Sequence, residues 1–259
     1  MRNIIAILRK EVLVSFTTPI AYVAYTVFTI ITSFFFLRIL SDFQQRIQLY
    51  SQYNPQMLQY LNFTDHGLRP LFYNVAVIMI FVVPFLTMRL IAEERRAKTI
   101  ELLMTNPVTP LQITLGKYLG ALTLLLPMLA IVLLYPVLVS VYAEVGSVAW
   151  STVLTGLLGL FLLGSAFIAI GLFISSLTSS QVVAAAITFC ALLMLWVVGW
   201  AGSDNPGATR EVLLSLSAIE HIRGFSDGVI DIKDVVYYIS LAGLGFFLTQ
   251  RALETQRWR

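Results

Sequence analysis

The chain has 259 residues, 58% of them hydrophobic and 12% charged, with a mean hydropathy of +0.83. A soluble domain averages roughly 45–50% and 25%, so the composition excludes a water-soluble globule, a disordered chain, a coiled coil and a disulfide scaffold, and identifies an integral membrane protein. The net charge of +3 is too small to argue for nucleic acid, and the lone Cys190 cannot form an intrachain bridge.

Residues 1–18 carry Arg2, Arg9 and Lys10, which mimic the basic start of a signal peptide. Glu11 interrupts that start, and Arg38, Ile39, Leu40, Ser41 and Asp42 stand where a cleavage site would follow, so an uncleaved N-terminus is expected. Ile4, Ile5, Leu8 and Val12 share one helical face opposite Asn3 and Lys10, with Ile7 and Leu13 off the stripe. This pattern predicts a helix lying along the membrane surface, against the plainer reading of a frayed tail.

Six apolar windows are long enough to cross about 30 Å of hydrocarbon, which takes roughly 20 helical residues. They run over residues 19–40, 71–91, 113–142, 150–174, 182–200 and 235–250. The third is long and must tilt, kink or project. The fifth holds no charge, and its nine Leu, Ile, Phe and Val residues favour insertion by about 3–5 kcal/mol. The sixth is the shortest. Helices are required, because backbone groups in lipid must be satisfied within the segment. Outer-membrane strands would instead alternate in ten-residue runs.

Pro84, Pro127 and Pro136 are expected to kink their helices. The small residues Gly156, Gly159, Gly164 and Gly171 read as close helix packing rather than a substrate path, as do Thr26, Thr29, Thr32 and Ser33. Tyr22, Tyr25, Trp150, Trp196 and Trp200 read as interfacial or packing aromatics.

Orientation follows from the basic residues. With an inside N-terminus, the inside segments and their borders hold 11 of 17 Lys and Arg but 5 of 14 Asp and Glu. Both termini are therefore expected in the cytoplasm. No Pro- or Gly-rich linker, low-complexity tract or repeat divides the chain, so residues 1–259 read as one membrane domain.

Catalytic patterns are missing. The Gly116-Lys117 pair has Leu111 where a phosphate-cradling loop needs its first glycine. The chain is therefore expected not to hydrolyse ATP by itself. Gly224-Phe225-Ser226-Asp227-Gly228 matches a nucleophile elbow in letters, but neither flank supplies the strand and helix that motif requires. His66 and His221 lie far apart in outside segments and read as surface or packing residues rather than a metal site. The spans lack ionisable residues at mid-depth, with Arg38 near an outer end and Glu144 just past the third span. A proton-coupled transporter would carry them. No catalytic, cofactor or metal residue is assigned, and any pumping energy must come from elsewhere.

The most informative stretch is Glu93-Glu94-Arg95-Arg96-Ala97-Lys98-Thr99-Ile100-Glu101-Leu102-Leu103-Met104, inside between spans two and three. Glu94 and Lys98 have the spacing and order of a favourable i,i+4 pair. Asn106-Pro107 stops the predicted helix. Thr109-Pro110-Leu111-Gln112 then has a capping-box pattern with Pro at the first helical position. The physics alone reads equally as a helix that merely links two spans and as a docking helix for a soluble partner.

This stretch through Val108, followed by Gly116, Lys117, Tyr118 and Leu119, resembles ABC-2 type transporter permeases. In that family an acidic pair precedes a Thr-Ile-Glu-Leu-Leu segment, then Pro, then Gly-Lys at the head of the third span. A second stretch, Phe225-Ser226-Asp227-Gly228-Val229-Ile230-Asp231 before the last span, is similar to the gliding-motility-type subgroup, with Ile222 standing where an aromatic is usual.

The resemblance implies an all-α integral membrane fold of the type V exporter kind. It implies an N-terminal interfacial elbow helix over residues 1–18, six transmembrane helices, a cytoplasmic coupling helix over 92–106, and an extracytoplasmic re-entrant element over 201–234. Two permease chains, identical or related, would pair with two copies of a separate ATPase that holds ATP and Mg. The chain would lie in the cell inner membrane. Glu93, Glu94, Arg95, Arg96, Lys98 and Glu101 would make charged contacts to the ATPase. Ile100, Leu102 and Leu103 would fill its groove or pack against the spans, and Thr99 would hold the local turn.

Two functions follow. One is the permease half of an ATP-driven exporter, for which a lipid, a glycan, a peptide or a small toxic compound all fit. The other is a force- or signal-transmitting subunit of a motility or assembly complex. The Gln- and aromatic-rich outside segment 41–70, with Gln44, Gln45, Gln48, Phe43, Tyr50 and Tyr53, would then meet an extracytoplasmic protein. An anchor without transport is a third possibility.

Overall fold

A computed structural model describes residues 2–53, 56, 61–99, 108–142, 148–203 and 208–257. Among these the regular structure is helical throughout. The elements are α1 (Arg2–Thr17), α2 (Pro19–Tyr53), a π-helical turn (Thr64–Leu68), α3 (Arg69–Thr87), α4 (Ala92–Arg96), α5 (Pro110–Tyr142), α6 (Trp150–Leu177), α7 (Gln181–Ser203), α8 (Ala208–Leu216), α9 (Ile222–Ser226) and α10 (Ile232–Arg257). Six helical segments are long and apolar enough to cross a membrane, built on α2, α3, α5, α6, α7 and α10. The expected all-α fold with six spans is what the chain adopts.

The helices begin where local chemistry directs. At the start of α5, Gln112 N donates to Thr109 Oγ1 at 3.3 Å and Thr109 N donates to Gln112 Oε1 at 3.4 Å. This is the reciprocal capping box, with Pro110 in the first helical position, where no N–H is needed. α6 ends at Thr178, whose backbone is extended.

α3 and α6 hold the centre of the bundle, and most of their residues are buried. The glycines of α6 explain how neighbours come so close. A β-carbon at Gly159 would lie 2.6 Å from Phe225 Cβ, and one at Gly164 would lie 2.7 Å from Leu125 Cδ2. Gly156 meets Phe72 and Gly171 meets Thr87 in the same way. These small residues admit helices, as expected, and burying side chains against bare backbone gains the dispersion contacts that hold helices together in lipid. α10 lies against α6, with Gly245 facing the Ala169 backbone.

Two expectations are corrected. Span one does not stop near Leu40: α2 continues unbroken to Tyr53. At about 1.5 Å per residue, its 35 residues reach about 52 Å, well beyond a 30 Å hydrocarbon core. Hydropathy marks where lipid ends, not where a helix ends, and the residues after Leu40 contain no Gly or Pro until Pro55. Span six is likewise longer, from Ile232 rather than Val235. α1 is a helix over Arg2–Thr17, and the face it packs on the bundle carries Glu11 and Ser15, with Ile5 63% exposed. A specific polar contact and two glycines of α5 determine that packed face, as described below.

At one end of the bundle, α8 and α9 fold back onto the spans. Ala218 N donates to Leu195 O of α7 at 3.3 Å, and Thr155 Oγ1 of α6 donates to Phe225 O at 3.0 Å. Arg69 pairs with Asp227 at 2.8 Å and Asp65 at 3.2 Å. Gly228 closes α9 with φ +83°, a left-handed conformation that costs glycine nothing. Residues 204–207 of the predicted re-entrant element lie outside the described residues.

Candidate functional site

At the other end, the residues following α3 turn over the ends of α5 and α6. Ser175 of α6 fixes that turn. Its hydroxyl accepts hydrogen bonds from the Ile91 and Ala92 amides, each at 3.1 Å, and donates to Met88 O at 3.1 Å. These amides are first-turn donors of α4 with no intrahelical partner. The serine supplies the acceptor that Ile91, at the cap position, cannot.

Beside this turn lies a group of four charges from three helices, buried except at Lys10, whose side chain is half exposed. Lys117 of α5 is 1% exposed at its side chain. Its Nζ donates to Glu11 Oε1 of α1 at 2.8 Å and to Leu90 O at 2.5 Å. It also lies 3.0 Å from Glu94 Oε2 of α4, an ion pair without hydrogen-bond alignment. Lys10 of α1 donates to Glu94 Oε1 at 2.5 Å and sits 3.6 Å from Glu11 Oε1. Two acids therefore face two bases, and the group is neutral as a whole. Burial pulls the Lys10 ammonium toward the neutral form. The hydrogen bond to Glu94 and the charges of Glu94 and Glu11 outweigh that, so its pKa rises above 10.5.

Gly116 and Gly120 flank Lys117 and let α1 reach it. A β-carbon at Gly116 would lie 2.7 Å from Ile7 Cβ, and one at Gly120 would lie 2.8 Å from Glu11 Cβ. Asn3 Nδ2 adds a bond to Gln112 Oε1 at 3.4 Å. A cavity of about 380 Å³ opens beside the charges, with Arg89, Glu93, Ala97 and Thr99 on its wall.

The residues predicted to meet an ATPase divide into two sets. Glu93 pairs with Arg89 at 3.1 Å. Glu94 turns inward to Lys10 and Lys117 rather than along the helix to Lys98. Arg95 Nη1 donates to Ser176 O at the end of α6. Arg96, Lys98 and Thr99 are exposed. The helix stops at Arg96, and Lys98 takes φ +56°. Thr99 Oγ1 reaches back to Glu94 O at 3.4 Å. A side chain in the left-handed region is uncommon, and here it closes a helix whose first turn is already tied down on three sides. Ile100, Glu101, Leu102 and Leu103 lie outside the described residues.

Sequence reasoning missed Lys10, Glu11, Lys117 and Ser175 as members of this site. Two signals were available: a lysine in an otherwise apolar span, and an acid within a basic N-terminal segment. Ser175 gave none, since a serine near a helix end is common. At the opposite end, Ser226 of the Gly-x-Ser-x-Gly match is buried in α9 and donates to Ile222 O at 3.0 Å. His221 is a packing residue: Nδ1 lies 2.7 Å from Asp234 Oδ1, and the ring stacks on Tyr237 at 4.0 Å.

No curated protein matches the chain at a significant level. The family model described as ABC-2 family transporter protein matches residues 5–215, a range that holds all four charges of the buried group and the turn that Ser175 fixes. The chain belongs to the ABC-2 family of transporter proteins.

Proposed function

We propose that this chain is the permease half of an ATP-driven exporter in the inner membrane. A separate ATPase subunit docks at the end of the bundle that carries α4. The observation that carries this reading is the division within residues 93–99. Glu93, Glu94 and Arg95 are tied to the bundle, while Arg96, Lys98 and Thr99 stand exposed just beyond them. A segment anchored on one side and charged on the other is suited to take a push from a soluble partner and pass it to the spans. The permease performs no bond chemistry. ATP binding draws two ATPase subunits together, each moves the segment it holds, and the helices tilt. A second permease chain completes the transporter. The N-terminal helix and the last turns of α10 then face the cytoplasm, in keeping with the excess of Lys and Arg among the inside segments. Export is the direction proposed, from the likeness to ABC-2 type permeases.

The test is gentle purification of the tagged chain, with mass spectrometry of what accompanies it. An ATP-binding subunit in about equal amount is expected. Reversing both exposed charges, Arg96→Glu with Lys98→Glu, is expected to release it while the permease still inserts. Undiminished co-purification of that variant would refute docking at this segment.

One observation favours the second reading, a force-transmitting subunit. α2 continues through residues 41–53, a projection of about 20 Å at 1.5 Å per residue. Its Leu49 and Tyr53 are exposed. An extracytoplasmic protein recovered in the same purification, and lost on Leu49→Ala with Tyr53→Ala, would decide for that reading.

A further inference from the structure

We infer that Lys117 is a positioning residue that makes α1, α4 and the head of α5 move as one body when α4 is displaced. This rests on the proposed docking of an ATPase at residues 93–99.

The geometry of the ammonium carries the inference. It holds three separate segments, two by hydrogen bonds and the third, Glu94, by its charge at 3.0 Å. Glu11 belongs to α1, the Leu90 carbonyl to the turn after α3, and Glu94 to α4. The ammonium is 1% exposed, so these three contacts stand in for its hydration. Sliding one segment alone would leave a charge or a carbonyl buried and unpaired, which is costly. The Arg89–Glu93 pair differs, because the Glu93 side chain is 46% exposed and water can substitute.

The backbone offers α4 no comparable hold on α1. α4 has five residues, too short to act as a lever, and it ends at the left-handed Lys98. α1 is remote in sequence and touches α4 through Lys10 and Glu94. The packing also fits a fixed body. Gly116 and Gly120 bring α1 onto the backbone of α5, on either side of Lys117. Ser175 and Arg95 tie the same turn to α6, so a moving α4 has two routes into the bundle. The routes through Lys117 and through the Lys10–Glu94 pair are the ones that take α1 with it.

A purely static staple would give the same contacts, so motion is the quantity to measure. The permease–ATPase complex is placed in lipid nanodiscs, with Cys190→Ser to remove the native thiol. Spin labels are attached in pairs, at Ser151 with Arg9 and at Ser151 with Thr99. All three positions are exposed, and Ser151 lies at the opposite end of the bundle. Pulsed electron–electron distances are recorded without nucleotide and with ATP trapped.

In the parent both distances are expected to shift on trapping. In Glu11→Gln with Lys117→Met, which removes one charge of each sign and leaves the Lys10–Glu94 bond as the remaining link, the Thr99 shift is expected to persist and the Arg9 shift to fall by at least half. The ATPase should still co-purify and hydrolyse ATP. Glu11→Gln alone changes no shape and is expected to reduce the Arg9 shift, which keeps the test decisive if the double variant does not assemble. An Arg9 shift unchanged in both variants overturns the inference. So does an Arg9 label that stays still in the parent while Thr99 moves, although docking would then stand. A parent that recovers no ATPase overturns docking and the inference together.

Discussion

Replacing Lys117 by Met removes one base from a buried group of two acids and two bases. Met has a similar length and fills the space, so packing changes little. Glu11 and Glu94 are 10% and 11% exposed at their side chains. After the change they share only Lys10, whose side chain is 51% exposed. Removing one partner of a buried ion pair costs about 3–5 kcal/mol, because the remaining charge has lost its compensation. Leu90 O also loses its donor, and an unsatisfied buried acceptor costs about 1–3 kcal/mol.

Adding Glu11→Gln restores neutrality and leaves Glu94 with Lys10. The double variant therefore keeps mainly the Leu90 penalty, about 1–3 kcal/mol. The double change should thus be less damaging than the single one by roughly 3–5 kcal/mol, more than a hundredfold in the unfolding equilibrium. Unfolding in mixed detergent micelles, followed by helical circular dichroism, gives all three free energies. The reasoning fails if Lys117→Met costs under about 1 kcal/mol, or if the double variant is the less stable of the two.

The contact between α1 and α5 gives a second prediction. Gly116→Ala forces Ile7 aside and should destabilise by about 1–3 kcal/mol, with residues 2–17 becoming accessible to protease. Gly243→Ala meets nothing within 4 Å and should be neutral or stabilising by up to about 1 kcal/mol, through helix propensity alone. A third prediction concerns pH. The raised pKa of Lys10 means that its contribution is complete below the ordinary 10.5 and is lost as pH rises through the higher native value. Unfolding measured across that alkaline range should therefore show a limb of declining stability that Lys10→Met removes.

The spans were legible because lipid imposes one strong rule, and uninterrupted apolar runs obey it visibly. The glycines of α6 were legible for a related reason: only packing explains so many small residues in one span. The charged group was not legible. Hydrophobic periodicity placed Ile4, Ile5, Leu8 and Val12 together on α1, yet Glu11 sets its buried face. The partner of Glu11 lies on a helix that starts some hundred residues later, and no pattern within α1 announces that. The pairing of Glu94 failed in the same way. Its spacing to Lys98 is right for an i,i+4 bond, worth about 0.2–0.5 kcal/mol on an exposed helix. Two lysines in a buried pocket offer far more, and local spacing does not outbid them. The end of α2 was missed because polar residues after Leu40 signal water, and a helix can continue into water when nothing in its sequence breaks it.

These two failures concern the same question, which charges at this end of the bundle are available to a partner. A run of Glu, Glu, Arg, Arg and Lys reads as a uniformly charged docking surface. In the folded chain its first three members are tied to other parts of the bundle, and a partner would have to break the pairs with Lys10 and Lys117 to use Glu94. The contact that a partner could make without that penalty begins at Arg96. A charge-reversal scan along residues 93–99 should therefore separate into two behaviours. Changes at Glu94 should cost permease stability. Changes at Arg96 and Lys98 should leave stability within about 0.5 kcal/mol, as exposed sites do, and should weaken only what binds there. If Arg96→Glu instead destabilises the isolated permease as much as Glu94→Lys does, the division between anchor and docking face is wrong.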